Sequence, residues 1–407
     1  MKNFPFYIAK RYLFSRKSHN AVNVITMISA CGVCFATIAL VCVLSVFNGL
    51  EALMQDMFGE FDPDLKITVV EGKVFDADTP EFDKIRALDG VSNVAQVLEE
   101  NALLRFDEQQ VPATIKGVSD NYIKAVNIEN VMFDGTFTLN DGVFDYAVAG
   151  IGIASRLGAG AHFLRPVQIY APKRMAAVNL ARPETAFNQR AIHLSGIFDA
   201  GQSNYNDTYL IVPLALAQEL FDYEANQATS LALKVREGSV ENVQKQIREI
   251  LGDGFRVQNR YEQQEVFFRI LQSEKLIGFL ILCFILLIAT FNIIGSLSML
   301  ILEKKDDIKT LHSLGTDEKR MRRIFFYEGW LVSLLGGLIG IVIGVVLCLV
   351  QQHFGIIKLG GGGADYLIPA YPVKVQIWDT LLIFSTVMIV SFCALQFTVK
   401  SLKIKSL

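Results

Sequence analysis

The side chains best suited to acid–base or metal chemistry are five histidines, His19, His162, His193, His312 and His353, in unconnected parts of the chain. None stands at a spacing that makes a metal site or a nucleophile–base pair, so each reads as an ordinary structural histidine. Cys31-x-x-Cys34 has the spacing of a redox pair. It lies in an apolar run with no neighbouring base, where a thiol packs rather than reacts. No Gly-x-x-x-x-Gly-Lys-Ser/Thr sequence occurs, and the run Gly360–Gly363 is not followed by Lys-Ser/Thr, so no phosphate cradle is expected. These residues predict a non-catalytic chain that binds no metal or cofactor of its own.

Charge is densest between residues 302 and 327. Leu302 to Gly315 predicts a short charged helix carrying Glu303, Lys304 and Asp307. Ile308, Leu311 and Leu314 would be exposed toward a partner, with Gly315 as the stop. Thr316 then caps a second helix, whose Asp317 and Glu318 sit at the positive end of its dipole. That helix, Lys319 to Tyr327, is basic and aromatic. Apolar side chains set among charges on a short helix suit docking better than catalysis, and the expectation is a knob on which a cytoplasmic motor seats.

The elements around this knob follow from hydropathy. No Asp, Glu, Lys or Arg falls between Lys17 and Glu51, Lys275 and Glu303, Glu328 and Lys358, or Asp379 and Lys400. Each gap reaches the roughly 20 apolar residues that cross a bilayer. Apolar residues make up 52% of the 407, more than a soluble domain carries. Spans without charge argue against an ion or proton relay. The net charge of −3 conceals a segregation, because residues 1–20, 303–327 and 400–407 hold 15 basic and five acidic residues while the remainder holds 23 and 36. Basic short loops stay in the cytoplasm, which places both termini and the 303–327 loop inside and the bulky segment outside. All six cysteines fall in the spans. The external domain, at about 225 residues, is large enough to fold without disulfides. Ala21 to Phe47 is too long for the apolar core of a signal peptide, about 7–15 residues. Ile28-Ser29-Ala30-Cys31 is like a lipoprotein cleavage box, but apolar residues continue after it where a polar tether would begin.

The layout expected is a multi-pass α-helical membrane protein with four transmembrane helices and a large α+β extracytoplasmic domain inserted between helices 1 and 2. An interfacial amphipathic helix occupies 1–20. There Pro5 starts the first turn, Phe4, Ile8, Tyr12 and Leu13 face lipid, and Lys10, Arg11 and Lys17 project elsewhere. The spans are 21–48, 276–302, 328–352 and 379–399. The external segments are 49–275 and 353–378, the coupling region is 303–327, and the tail is 400–407. Gly336-xxx-Gly340-xxx-Gly344 allows close helix approach in the third span. Within the external domain, Leu65–Val70, Val91–Phe106, Val111–Val118, Val167–Tyr170, Ala191–Phe198, Leu231–Val235 and Phe255–Gln258 read as strands, with a turn over Asp107–Gln110. Pro80–Leu88, Pro213–Phe221 and Ser239–Leu251 read as helices. From Arg260 no breaker appears before Gly278, which predicts an unbroken helix into the second span.

Several stretches carry a resemblance. They are Ile8-Ala9-Lys10-Arg11-Tyr12-Leu13, Leu44 to Glu51, Phe291 to Met299 and Glu303-Lys304. Together with the one-plus-three arrangement of spans, they resemble FtsX/MacB-type ABC transporter permeases, and within that superfamily the LolC/LolE-type lipoprotein-releasing permeases. The resemblance implies a complex of two permease subunits, identical or paralogous, with a cytoplasmic ATPase dimer that supplies ATP and magnesium chemistry. Lipoprotein substrates would leave the inner membrane and pass to a periplasmic carrier. The family's carrier-docking hook would correspond to Pro172, Lys173, Arg174, Met175, Val178, Leu180, Arg182 and Pro183. Two alternatives within the superfamily are a MacB-like exporter of peptides or amphiphiles and an FtsX-like transmitter that regulates cell-wall hydrolases.

Overall fold

Long charge-free runs become long helices because, in lipid, every backbone N–H and C=O must be satisfied within its own segment. The computed structural model describes residues 4–13, 21–174, 186–236, 238–358 and 370–401. The chain begins with α1 (Phe4–Leu13) and α2 (Ala21–Phe61). The strands that follow are β1 (Leu65–Val69), β2 (Phe75–Asp76), β3 (Val91–Phe106), β4 (Gln109–Val118), β5 (Met132–Gly135), β6 (Tyr146–Gly150), β7 (Val167–Pro172), β8 (Phe187–Phe198), β9 (Tyr209–Pro213), β10 (Gln227–Ala228), β11 (Ser230–Val235) and β12 (Phe255–Asn259). Short helices are interleaved: α3 (Pro80–Arg86), α4 (Tyr122–Ala125), α5 (Ile151–Leu157), α6 (Ser203–Asn206), α7 (Leu214–Leu220), α8 (Val240–Leu251) and α9 (Arg260–Gln263). Then come α10 (Glu265–Glu303), α11 (Lys305–Ser313), α12 (Glu318–Phe354) and α13 (Ile377–Ser401). Two compact units result, Met1–Leu53 with Phe267–Leu407, and Met54–Val266.

In the first unit, α2, α10, α12 and α13 are each long and apolar enough to cross a membrane. Val33, Leu40, Leu44, Leu286, Ile293, Leu297, Ile383, Val387 and Leu395 form the buried centre of that bundle. Helix α2 continues beyond Asn48 as far as Phe61. Asp62-Pro63 follows, and the residue before a proline avoids helical geometry. Helix α1 lays Ala9 fully buried, while Phe4, Ile8 and Tyr12 are half-buried and Phe6, Tyr7, Lys10 and Arg11 are exposed. The face assigned to lipid from the sequence is therefore largely a packing face. Phe6 meets Tyr327 of α12 edge to face at 5.9 Å.

The second unit is a mixed sheet in the order β12-β1-β11-β3-β4-β9-β6-β8-β5, with β7 pairing β3 and β8. The long strand β3 serves both of its cores. Its first half joins Leu65, Ile67, Leu231, Val243 and Val257 beneath α3 and α8. Its second half joins Ile115, Ala147, Ile169, Leu210 and Val212 beneath α5 and α7. Of the strands absent from the expectation, β2, β5 and β10 are only two to four residues long, while β6 and β9 are buried on both faces, so they lack the alternation that marks a strand from sequence. The β3–β4 turn is tighter than expected, with only Asp107 and Glu108 between the strands and Asp107 at φ 51°.

Two further expectations are corrected. The helix from Arg260 is broken at Gln264. Asn259 and Glu262 form a reciprocal capping box that starts and satisfies the short α9, and α10 begins separately at Glu265. The N-cap of α12 is Asp317, extended at φ −69° and ψ 147°, so Thr316 stands one residue outside. The glycine run Gly360–Gly363 lies outside the described residues.

Candidate functional site

Helix α12 organises the membrane unit because its glycines let two neighbours approach. A Cβ on Gly336 would lie 2.7 Å from the Ala30 carbonyl oxygen, one on Gly340 2.7 Å from that of Cys34, and one on Gly344 2.9 Å from Cβ of Val41. All three contacts are to α2, and backbone oxygens cannot give way. The expected stripe thus packs α12 on α2. A second face packs on α13, where a Cβ on Gly329 would meet Leu395 at 2.5 Å and one on Gly337 would meet Val387 at 3.1 Å. Polar side chains then join α2 to α10: Ser29 Oγ donates to the Asn292 carbonyl at 3.0 Å, and the hydroxyls of Thr26 and Ser296 lie 3.0 Å apart.

At the opposite end of the bundle from α11, charges that merely bounded the spans in sequence prove to be bonded. Asn48 Nδ2 donates to Asp379 Oδ2 at 2.6 Å. Lys275 Nζ donates to Asn48 Oδ1 at 2.7 Å and sits 3.3 Å from Asp379 Oδ2. This triad ties α2, α10 and α13 together. Asn48 belongs to the Leu44–Glu51 stretch, and its role there is to hold both charges.

Helix α11 hangs between α10 and α12. Lys304 leaves helical geometry at φ −87° and ψ 17°, and Gly315 ends the turn at φ 85°. Amides of Leu314, Gly315 and Thr316 donate back to Thr310, His312 and Leu311, closing the C-terminus. Asp307 and Leu314 are exposed, Leu311 is half-buried and Lys304 pairs loosely with Asp307 at 3.9 Å. Ile308 is corrected: it is 7% exposed and packs in the bundle core with Met321 and Phe325. A short helix beside a bundle must anchor one apolar side, and Ile308 is that anchor. The apolar side chains of α11 left uncovered are therefore Leu314 and, in part, Leu311, set among charges.

Near this end a cavity of about 250 Å³ is lined by Tyr12, Thr26, Met27, Ala30, Leu300, Glu328, Val332 and Leu335. Glu328, which marked only a span boundary in the sequence, is 3% exposed, and its Oε2 has no hydrogen-bond partner among the described residues. The reading that the spans hold no charged residue is corrected at this position. In the sequence it stands at the edge of a charge-free gap, where an acidic side chain reads as solvated, so nothing there marked its burial.

In the sheet unit, Lys116 of β4 is buried opposite Glu99 of β3, Nζ to Oε1 3.3 Å. The rings of Phe61, Tyr209 and Tyr122 surround its ammonium at 4.7, 5.1 and 5.4 Å. Asp62 accepts from Tyr205 Oη at 2.8 Å and Gln264 Nε2 at 3.0 Å, and Asp64 pairs with Arg260 at 2.9 Å. These bonds clasp the two ends of the unit's chain. Of the proposed hook, Pro172, Lys173 and Arg174 are exposed at the end of the β7–β8 ladder, which closes with Pro172 opposite Phe187. The Arg174 guanidinium lies 4.2 Å over the Tyr223 ring. Met175, Val178, Leu180, Arg182 and Pro183 lie outside the described residues. No group of His, Cys, Asp and Glu among the described residues could hold a metal ion.

Four helices long and apolar enough to cross a membrane, a short charged helix between the second and third, and a mixed-sheet domain between the first and second make the architecture of an integral membrane subunit. The MacB-like periplasmic core domain family matches residues 26–250, and the FtsX-like permease C-terminal family matches residues 279–406. The chain belongs to the FtsX/MacB-type ABC transporter permeases. Among its relatives, lipoprotein-releasing system transmembrane protein LolC of Neisseria meningitidis serogroup B is 25% identical over 354 residues, 85% of this chain and 82% of that one. The corresponding LolE protein of Haemophilus influenzae is 23% identical over 409 residues, 96% of this chain and 95% of that one.

Proposed function

We propose that this chain is the permease subunit of a lipoprotein-releasing complex. It extracts outer-membrane-destined lipoproteins from the bacterial inner membrane and passes them to a periplasmic carrier. The observation that carries the reading is its end-to-end similarity to LolC and LolE proteins. The physics agrees with it. Removing acyl chains from a bilayer costs about 0.8 kcal/mol per buried CH₂, so extracting a multiply acylated protein takes tens of kcal/mol. With no P-loop of its own, the chain draws that energy from a separate ATPase that binds ATP and magnesium, seated on the Leu311–Leu314 surface of α11. A second permease subunit completes the membrane part and faces the exposed apolar rows of α2 and α10, such as Phe35, Leu280 and Phe284. Both termini and α11 are cytoplasmic, and the sheet domain presents the hook to the carrier. Depleting the chain from cells tests this: outer-membrane lipoproteins should accumulate in the inner-membrane fraction. Normal lipoprotein sorting after depletion would rule it out.

A further inference from the structure

A pocket of about 310 Å³ lies between the start of α12 and the end of α13. Lys319, Arg322, Arg323 and Lys400 line it together with the rings of Phe326 and Phe392. The two rings meet edge to face at 5.4 Å and form an apolar wall. Among the described residues, none of the four cations has an anionic partner and the buried Nε of Arg322 has no hydrogen-bond partner. With no carboxylate against them among the described residues, these cations leave the recess electropositive and favourable to an entering anion. The pocket also sits where both helices turn from polar to apolar. Beyond Glu328, α12 has no charge, and before Lys400, α13 has none back to Asp379.

We propose that this pocket binds the headgroup of an anionic phospholipid. The guanidinium groups of Arg322 and Arg323 and the ammonium groups of Lys319 and Lys400 hold the phosphate. Phe326 and Phe392 pack on the glycerol and the first methylenes. Guanidinium forks match phosphate geometry, and basic pockets between spanning helices take lipid headgroups. A free phosphate would leave the aromatic wall unused. The inference goes beyond the lipoprotein reading and stands whatever the cargo is. Its consequence is that a bound lipid bridges α12 and α13 beside the root of α11.

Tryptophan quenching tests it. The chain has two tryptophans, Trp330 and Trp378, and Trp330 lies two helical turns beyond Arg323. The full-length chain with Trp378→Phe is reconstituted into phosphatidylcholine vesicles containing brominated phosphatidylglycerol or brominated phosphatidylcholine. Quenching of Trp330 should favour the anionic lipid at least about tenfold, and Arg322→Gln/Arg323→Gln/Lys400→Gln should abolish the preference. Arg322→Lys/Arg323→Lys, which keeps the charge and removes the forks, should retain part of it, which separates lost charge from lost fold. Equal quenching by both lipids, or a preference that survives neutralisation, overturns the proposal. Displacement of the lipid by millimolar inorganic phosphate would make free phosphate the ligand. Loss of ATPase co-purification with the lipid preference intact would make the face a protein interface.

Discussion

Lys116 keeps a charge inside the sheet because three aromatic faces and Glu99 replace the water it loses. Burial works to raise the Glu99 pKa, but the nearby Lys116 and Lys66 ammonium groups outweigh it and hold the carboxyl below its usual range. Its stabilisation is therefore present above the unfolded value of about pH 4.3 and is lost as pH falls through the lower folded value. Thermal unfolding of the full chain should show Glu99→Gln destabilised at pH 7, with the difference from wild type shrinking progressively once pH falls below about 4.3. Lys116→Met, which leaves the carboxylate only the more distant Lys66 at 3.8 Å, should cost about 3 kcal/mol at pH 7. An equal Glu99→Gln deficit at both pH values would show that the pair is not ionic. The pairing was beyond the reach of the sequence for a definite reason. The expected turn over Asp107–Gln110 would place Lys116 opposite Asn101, whereas the observed two-residue turn places it opposite Glu99. A turn two residues shorter moved every partner along the strand.

Helix α11 shows what periodicity leaves open at the scale of an element. Ile308, Leu311 and Leu314 are all apolar at helical spacing, but spacing does not say which side meets the bundle and which meets a partner. The structure divides them, with Ile308 inward and Leu314 outward at 77% exposure. Ile308→Asp should therefore lower the melting temperature of the detergent-solubilised chain, a buried unpaired carboxylate costing several kcal/mol. Leu314→Asp should leave melting within about 0.5 kcal/mol of wild type and weaken ATPase co-purification. Unchanged co-purification would place the motor elsewhere. In α12 the Gly336–Gly340–Gly344 spacing was legible because close approach in lipid needs small residues at every fourth position. The Gly329–Gly337 face on α13 was not, because nothing in the sequence says a helix has two such neighbours. Gly340→Leu should destabilise the bundle by about 3 kcal/mol or more, since its Cβ alone meets the Cys34 oxygen at 2.7 Å. A fully stable Gly340→Leu chain would mean that α2 and α12 do not touch there.

For the molecule as a whole, hydropathy and charge segregation made the four spans and the inserted domain readable, because a bilayer imposes one length and one composition on whatever crosses it. The internal pairing of the sheet was only partly readable, since parallel, doubly buried strands such as β6 and β9 carry no alternation. Orientation has its own test. With the native cysteines replaced, Asp253→Cys should react with a membrane-impermeant maleimide in intact cells, and Ser313→Cys only after lysis. The reverse pattern would invert the topology. Lipoprotein release is measured most directly in proteoliposomes holding this permease, its partner subunits and an acylated lipoprotein, with a soluble acceptor outside. Lipoprotein should reach the acceptor only while ATP is hydrolysed; steady ATP turnover with the lipoprotein still in the membrane would contradict the account.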